Sequence, residues 1–239
     1  MAEKRAVILA GGKGTRLKPF TYVLPKPLVP VGELPILEII IRQLKYYGFN
    51  HITMAVNHQA EIIKAFFGKG EKWNLKIDYS LEDKPLSTMG PLKLIKDLPE
   101  NFLVMNGDIL SDIDFASFYE QHCHNKEQFT ILSKKRFDRV EYGILETNET
   151  GYLKTFTEKP TNTYQVSTGM YFINRSVLEM IPKDTAYGFD HLMYKMLETH
   201  QHVKVVPVDA YWLDIGRPDD YAIAMETFNE NRSKFLPVE

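Results

Sequence analysis

The chain begins with a short apolar strand that leads directly into a glycine-rich loop. Residues 6–10 are continuously apolar, without the polar alternation of a half-exposed strand, so this strand should be covered on both faces, as in a parallel or mixed sheet. Gly11, Gly12 and Gly14 follow, and they allow a sharp turn whose backbone N–H groups can contact phosphate oxygens. This beginning favours an α/β fold with an anion site at the end of its first strand.

Helical and extended patterns then alternate. A helical stripe starts after Pro35 and stops at Gly48, and a second helix should run to Gly68 with Asn57 as its N-cap. The remaining expected helices are at 115–124, 189–199 and 218–231, and the remaining strands at 52–56, 76–81, 102–105, 129–133, 142–146, 153–157, 168–173 and 204–208. The order predicts a single Rossmann-like α/β domain over residues 1–239, with a mixed, mostly parallel central sheet flanked by helices.

Composition narrows the class of protein. The 239 residues are 44% hydrophobic and 25% charged, which is ordinary for a globular chain. The net charge of -2 gives no general attraction to nucleic acid or to anionic membranes. One cysteine, Cys123, cannot form an internal disulfide, and no apolar run approaches the ~20 residues of a membrane span or forms a secretory signal. We therefore expect a cytoplasmic protein without a nucleic-acid or membrane partner.

The glycine loop carries concentrated positive charge. No acidic residue lies between Ala6 and Gly32, and the basic side chains of this stretch are Lys13, Arg16, Lys18 and Lys26. A dinucleotide fingerprint would need glycine where Leu17 stands, and a P-loop would need Gly-Lys-Ser/Thr at the start of a helix. Five prolines between residues 19 and 35 argue against a helix here and would hold Lys26 in place. The stretch predicts an irregular anion-binding loop, with an ordinary solvated loop as the alternative.

Two segments carry a long resemblance to a known family. Residues 9–19, LAGGKGTRLKP, and 25–31, PKPLVPV, resemble the sugar-1-phosphate nucleotidyltransferases of the NTP-transferase family, nearest to the mannose-1-phosphate and heptose-1-phosphate guanylyltransferases. The resemblance covers about residues 5–225 and implies a GT-A-like nucleotidyltransferase fold. It implies a nucleotide-facing half at about 1–127 and a sugar-phosphate-facing half at about 128–239.

The resemblance also implies roles for individual residues. It assigns phosphate contacts and catalysis to Arg16 and Lys26. The nucleotide contacts that it implies are Leu9, Gly11, Gly12, Gly14, Thr15, Arg16, Lys26, Glu82, Ser87 and Thr88. Ser87 and Met89 are bulkier than the residues usual in the family beside the base, so the base pocket should have an altered shape.

Two aspartates are candidate metal ligands. Asp108 follows the apolar strand 102–105, at the strand end where open α/β sheets bind ligands, and Asp214 follows the strand 204–208. Mg²⁺ takes one or two carboxylates together with water and substrate phosphates. The resemblance implies that Asp108 and Asp214 hold Mg²⁺ and that Asp108 is catalytic. From the local sequence alone, the alternatives are a turn residue for Asp108 and a helix N-cap or turn residue for Asp214.

Two other patterns imitate metal sites. Asp112 and Asp114 reproduce the DxD spacing of glycosyltransferases, but a helix cap before Phe115 is the favoured interpretation. His122, Cys123 and His124 are adjacent on an expected helix and point in different directions, so they are not expected to share a metal.

The second half supplies the candidate acceptor residues. Glu158-Lys159-Pro160 should end one strand and Ser167-Thr168-Gly169 should open the next, which also fits an ion pair and a simple strand start. The resemblance implies that the residues contacting the sugar phosphate are Gly143, Glu158, Lys159, Thr168 and Gly169. Many relatives continue into a left-handed β-helix, whereas this chain stops soon after its last expected helix.

The resulting hypothesis is a Mg²⁺-dependent nucleotidyltransferase of sugar-nucleotide and polysaccharide biosynthesis. It would condense a nucleoside triphosphate, with GTP favoured, and a sugar 1-phosphate into a nucleotide-diphospho-sugar and pyrophosphate. Cytidylyl, uridylyl and thymidylyl transfer, and a non-sugar phosphate acceptor, stay open. The competing hypotheses are a GT-A-type glycosyltransferase and a non-catalytic regulatory subunit that binds nucleotide-sugar. A homo-oligomer is compatible with the sequence.

Overall fold

The computed structural model describes residues 3–57 and 59–237. Its strands are β1 (Lys4–Leu9), β2 (Pro30–Val31), β3 (Leu34–Pro35), β4 (Phe49–Val56), β5 (Lys76–Leu81), β6 (Asn101–Asn106), β7 (Ile109–Ser111), β8 (Phe129–Arg139), β9 (Ile144–Thr147), β10 (Leu153–Thr157), β11 (Thr161–Asn174), β12 (Val203–Pro207) and β13 (Trp212–Asp214). Its α-helices are α1 (Ile36–Tyr46), α2 (Ala60–Phe67), α3 (Phe115–His124), α4 (Phe189–Glu198), α5 (Pro218–Glu230) and α6 (Arg232–Phe235).

Seven strands form the central sheet, in the order β12-β8-β11-β6-β1-β4-β5. The pairs β6–β1, β1–β4, β4–β5 and β8–β12 are parallel, and only β11 runs antiparallel to its neighbours β6 and β8. This confirms the predicted mixed, mostly parallel sheet. Three two-stranded ribbons, β2–β3, β7–β13 and β9–β10, lie outside it.

Both faces of the first strand are buried. Ala6, Val7 and Ile8 are all fully inaccessible to solvent, as the uninterrupted apolar run predicted. Ala6 and Ile8 belong to the larger apolar cluster, together with residues of α1 to α3 and of α5 and α6, whereas Val7 belongs to the cluster on the other face, with residues of α4. Burial of each large apolar side chain stabilises such a layer by about 1.5–3 kcal/mol. The sheet is therefore a rigid platform for whatever its strand ends carry.

Most expected elements are present, and three expectations were wrong in detail. Gln59, with a φ of +57°, precedes α2 as its N-cap, so Asn57 is not the cap. The Asn57 carbonyl accepts a hydrogen bond from the Ala60 N–H. β8 and β11 extend well beyond their apolar stretches, because their outer halves pair with each other as an exposed, largely polar ribbon that has no core-facing pattern. Residues 167–169 consequently lie within β11 and do not begin it.

No helix in residues 3–57 and 59–237 is long and apolar enough to cross a membrane.

Candidate active site

A cavity of about 590 Å³ opens at the carboxyl ends of β1, β4 and β6. This volume is typical of a small-molecule site. The predicted residues that line it are Leu9, Gly11, Gly12, Lys26, Glu82, Ser87, Thr88 and Asp108. Lys13, Asn57 and Asn106 also line it. The structure therefore gathers most of the expected nucleotide contacts around one cavity.

The glycine loop is shaped by close contacts as well as by turns. It contains short 3₁₀ turns at Thr15–Leu17, Phe20–Tyr22 and Lys26–Leu28. Gly14 has a φ of +59°, and a Cβ there would lie 2.8 Å from Thr21 Cγ2 and 3.0 Å from Lys26 Cβ. The Thr21 hydroxyl donates a hydrogen bond of 2.7 Å to the Gly14 carbonyl. Since only glycine fits this conformation and this space, Gly14 allows Lys26 to lie against the loop.

The two aspartates are brought together by the β7–β13 ribbon. Asp214 pairs with Ile109 in that ribbon, and the Ile215 N–H donates a hydrogen bond of 3.0 Å to the Asp108 carbonyl. Lys26 Nζ forms an ion pair with Asp108 Oδ2 and lies 3.9 Å from Asp214 Oδ1. One ammonium group therefore faces both carboxylates.

Arg16 reaches the same region from the glycine loop. It is exposed, and its Nη2 lies 3.5 Å from the position that a Cβ on Gly216 would occupy, two residues after Asp214. Arg16 and Thr15 lie outside the lining of the cavity, and Arg16 is close enough to act on the charge of Asp214.

The electrostatics fit a divalent cation. Burial, and then repulsion by Asp108, raise the pKa of the Asp214 carboxyl, while Lys26 and Arg16 oppose the rise. Oδ1 of Asp108 and Oδ1 of Asp214 are both buried without a hydrogen-bond partner. Carboxylate oxygens are the ligands that Mg²⁺ prefers, and two of them suffice when water and substrate phosphates complete the shell. Asp108 and Asp214 thus form a donor set that fits Mg²⁺.

Glu82 occupies the far wall of the cavity. Its side chain is buried, its Oε2 accepts a hydrogen bond of 2.9 Å from the Leu86 N–H, and burial raises its pKa. Its Oε1 lies 3.2 Å from the position of a Cβ on Gly11. The backbone bond holds the carboxyl group in place, and Oε1 remains on the side of the glycine loop.

The expectation for Met89 was wrong. Its side chain is fully buried in the apolar cluster with Val7 and does not line the cavity, because the Met89 N–H bonds to the Tyr187 carbonyl and this part of the segment faces the core. Ser87, with a φ of +64°, does line the cavity. The Thr88 hydroxyl accepts a hydrogen bond of 2.7 Å from the Phe189 N–H, so α4 supports this wall.

The candidate acceptor residues lie outside the cavity lining and form two groups. Gly143 faces Glu158, since a Cβ on Gly143 would lie 3.0 Å from Glu158 Oε2, and Lys159 follows with a φ of +42°. Glu158 and Lys159 are exposed on the segment after β10. The Thr168 hydroxyl is buried and donates to the Leu132 carbonyl at 2.8 Å, so it is already used within the sheet.

Gly169 connects the second group to the cavity wall. It has a φ of +74°, and a Cβ there would lie 2.6 Å from Nδ2 of Asn106, which lines the cavity. The close approach of Asn106 requires glycine at this position. The end of β6 and the middle of β11 therefore meet two residues before Asp108.

The two sequence patterns that resemble metal sites, at residues 112–114 and 122–124, contain residues with structural roles. Asp114 caps α3 by accepting from the Ser117 N–H, as predicted, and Asp112 accepts a hydrogen bond of 2.7 Å from the Tyr211 N–H. His122 Nδ1 is hydrogen-bonded to the Thr130 hydroxyl, and burial lowers the His122 pKa to about 4. Among the residues described, no three His, Cys, Asp or Glu side chains are grouped to hold a metal.

Three polar side chains of the cavity wall were not predicted as site residues from the sequence: Lys13, Asn57 and Asn106. Asn57 and Asn106 stand at the carboxyl ends of β4 and β6, so the strand-end rule that singled out Asp108 could have found both. Lys13 was noticed only as part of the charge of the loop.

The sequence matches the family described as nucleotidyl transferase over residues 5–231, which is nearly the whole chain. The chain belongs to the nucleotidyl transferase family. It is 32% identical to a UTP–glucose-1-phosphate uridylyltransferase of Synechocystis over 91% of its length, and 32% identical to a mannose-1-phosphate guanyltransferase of Yarrowia lipolytica over 98%. The match spans 61% and 66% of those two longer proteins.

A solved structure shows the same architecture. The crystal structure of HddC from Yersinia pseudotuberculosis complexed with GMP-PN superimposes with a TM-score of 0.72 at 28% identity, and the match covers 94% of this chain and 99% of that one. The mixed sheet and its helices are thus a fold that this member of the nucleotidyl transferase family shares with HddC, as the resemblance implied.

Proposed function

We propose that the protein condenses GTP with a sugar 1-phosphate to give a GDP-sugar and pyrophosphate, with Mg²⁺ as the metal. The observation that carries this proposal is the pair Asp108 and Asp214, each with a buried unpartnered oxygen, held by Lys26 beside the glycine loop. Family membership and the similarity to two named sugar-1-phosphate nucleotidyltransferases support the same reaction.

The chemistry requires the meeting of two anions and no general base. An oxygen of the sugar 1-phosphate attacks the α-phosphorus of GTP, the bond from that phosphorus to the β-bridging oxygen breaks, and its electron pair leaves with pyrophosphate. Mg²⁺, held by Asp108 and Asp214, would neutralise phosphate charge. Arg16 and Lys26 supply fixed positive charge from the protein, so catalysis rests on positioning and electrostatic stabilisation.

Glu82 supports guanine as the base. A buried carboxylate accepts hydrogen bonds, and guanine offers two adjacent donors, N1–H and N2–H. Uracil and thymine offer only N3–H, flanked by two carbonyl oxygens that a carboxylate repels. The Yarrowia lipolytica relative is a guanyltransferase, and HddC was crystallised with GMP-PN, which agrees with this assignment.

Uridylyl transfer is the second candidate. The Synechocystis relative, named for UTP and glucose 1-phosphate, has the same 32% identity as the guanyltransferase. Whether Glu82, Ser87 and Thr88 bind guanine or uracil more tightly decides between guanylyl and uridylyl transfer.

For the acceptor side, we propose contacts from Gly143, Glu158, Lys159 and Gly169, and from the backbone of Thr168, whose hydroxyl is committed to the Leu132 carbonyl. In this proposal the exposed Lys159 ammonium would bind the phosphate of the acceptor, and Glu158 beside Gly143 would accept hydrogen bonds from sugar hydroxyls. A mannose-type phosphate is the first acceptor to test because of the Yarrowia lipolytica relative.

The half-buried free Cys123 fits a cytoplasmic location.

A substrate matrix tests the proposal. GTP, UTP, CTP and dTTP are each combined with mannose, glucose and heptose 1-phosphates and Mg²⁺, and pyrophosphate release is measured. We expect the fastest release with GTP, and loss of release in Asp108→Ala. Sugar transfer from a nucleotide-sugar without pyrophosphate release would identify a glycosyltransferase instead, and binding without turnover would identify a regulatory subunit.

A further inference from the structure

Asp214 stands on an element that has little support of its own. β13 is three residues long and, within the part of the chain that the structure describes, pairs only with the three-residue strand β7. A ribbon of this size is marginal without further contacts. The ribbon and the hydrogen bond from the Ile215 N–H to the Asp108 carbonyl join the two main chains, and the orientation of the Asp214 side chain depends on further contacts of β13.

The indole of Trp212 supplies such a contact. Trp212 Nε1 donates a hydrogen bond of 2.8 Å to the carbonyl of Thr168. The register of β11 against β8 breaks between Ser167 and Tyr171, so the Thr168 carbonyl lies outside the regular ladder. Thr168 itself is anchored, since its hydroxyl donates to Leu132 on β8. The indole therefore ties β13 to the central sheet.

The side chains of Trp212 and Asp214 lie on the same face of β13. Residues i and i+2 of a strand point the same way, so a hydrogen bond that fixes Trp212 also orients the carboxylate two residues later. At the other end of the contact, Gly169 packs against Asn106, close to Asp108. One hydrogen bond thus links the supports of both carboxylates.

We propose that Trp212 is a positioning residue that sets the geometry of Asp108 and Asp214 toward the divalent metal. This inference rests on the proposed function, because it takes the two aspartates as metal ligands. Groups that orient metal ligands typically contribute 10–100-fold to metal affinity. A single neutral hydrogen bond belongs at the low end of that range.

The test compares Trp212→Phe with Trp73→Phe, using Mn²⁺ as the probe. Trp73 is the other tryptophan of the chain, and it also donates an indole hydrogen bond, at 3.3 Å to Glu38 on α1, outside the cavity. Free Mn²⁺ is followed by electron paramagnetic resonance in the presence of a non-hydrolysable GTP analogue. We expect a dissociation constant about tenfold higher for Trp212→Phe than for wild type. Trp73→Phe should bind Mn²⁺ as wild type does, whatever its melting temperature.

Equal Mn²⁺ affinity in wild type and Trp212→Phe would overturn the proposal, even if the variant were less stable. If the wild type binds Mn²⁺ but releases no pyrophosphate, the proposed function is contradicted. The positioning role of Trp212 can still be tested in that case, because its test measures Mn²⁺ affinity.

A second measurement applies if Trp212→Phe does not fold. In Trp73→Phe, Trp212 is the only source of tryptophan fluorescence. Its emission should be quenched with the same half-saturation as Mn²⁺ binding, and an emission that stays constant at saturation would refute the link.

Discussion

Replacement of Lys26 by methionine tests the arrangement on which the proposed site depends. The substitution keeps most of the volume of the side chain and removes the ammonium group that faces Asp108 and Asp214. The Lys26 side chain is 12% exposed and that of Asp108 is 18% exposed, so water can replace the lost charge only in part. Both stability and catalysis should respond.

The magnitude follows from the geometry. At 3.9 Å, the separation of Lys26 Nζ and Asp214 Oδ1, two unit charges attract by about 4 kcal/mol at an effective dielectric constant of 20 and by about 1 kcal/mol in water. The Asp214 side chain is 45% exposed, which places this pair in the lower part of that range. Loss of a preorganised charge at the reacting phosphates costs about 10²–10³-fold in rate. We therefore expect kcat/KM to fall by about 10²-fold or more.

The assay is pyrophosphate release at saturating Mg²⁺ and varied GTP, with melting temperature measured in parallel. Lys18→Met is the matched control, because Lys18 is an exposed lysine of the same loop and contacts the ring of Tyr22. The control should keep kcat/KM within about threefold of wild type, as expected for a surface substitution. A Lys26→Met enzyme that also stays within threefold would refute the assignment of Lys26.

Three further predictions follow from single contacts. Asp214→Asn should abolish activity yet raise the melting temperature at pH 7, because the raised pKa of Asp214 means that its ionised form destabilises the folded state above the folded-state pKa. The gain in unfolding free energy should be up to about 1 kcal/mol for a half-exposed group, which corresponds to about 2–4 °C. The difference in melting temperature should vanish below pH 3.8, where residue 214 is neutral in both the wild type and the variant. Glu82→Gln should lower the ratio of kcat/KM for GTP over UTP by about 10–100-fold, which is the discrimination of a bidentate base contact. The control, Asp83→Asn at the exposed neighbouring residue, should leave this ratio unchanged. An unaltered ratio in Glu82→Gln would exclude Glu82 from base recognition. Gly14→Ala should lower the free energy of unfolding by about 2–4 kcal/mol in chemical unfolding, because of the positive φ and the close contacts with Thr21 and Lys26. Gly12→Ala should remain near wild type, since the space around its Cβ position is open. Equal stabilities of the two variants would show that the loop is not constrained at Gly14.

The fold could be predicted from the sequence wherever burial leaves a periodic pattern. β5 and α3 begin and end where the sequence placed them, because their apolar spacing and the Asp114 cap are local signals. The outer halves of β8 and β11 gave no such signal, since their residues are exposed and their pairing with each other is a long-range property. Gln59 was missed as a cap because its left-handed backbone conformation, rather than its side chain, ends the loop before α2.

The candidate site was predicted best where chemistry and strand ends coincide. Asp108 follows a buried strand, and its place at the cavity follows from the parallel sheet. Met89 shows the opposite case, because a motif position next to the base carries no information on whether its side chain turns toward the cavity or into the core. The part played by Thr168 was also hidden, since its buried hydroxyl is committed to Leu132 and its carbonyl to Trp212, both distant in sequence.

These contacts explain why the two halves of the chain must act as one unit. The glycine loop, Lys26 and Asp108 come from the first half, whereas Asp214 and the candidate acceptor residues come from the second. The halves meet through β6–β11 pairing, through Asn106 against Gly169, and through the Ile215 N–H on the Asp108 carbonyl. A displacement of β11 would therefore shift Asp214 through Trp212 at the same time as it moved Thr168 and Gly169. Since in-line attack requires two anions to be closely aligned, contacts that join the central sheet to the β7–β13 ribbon are what the proposed reaction would require.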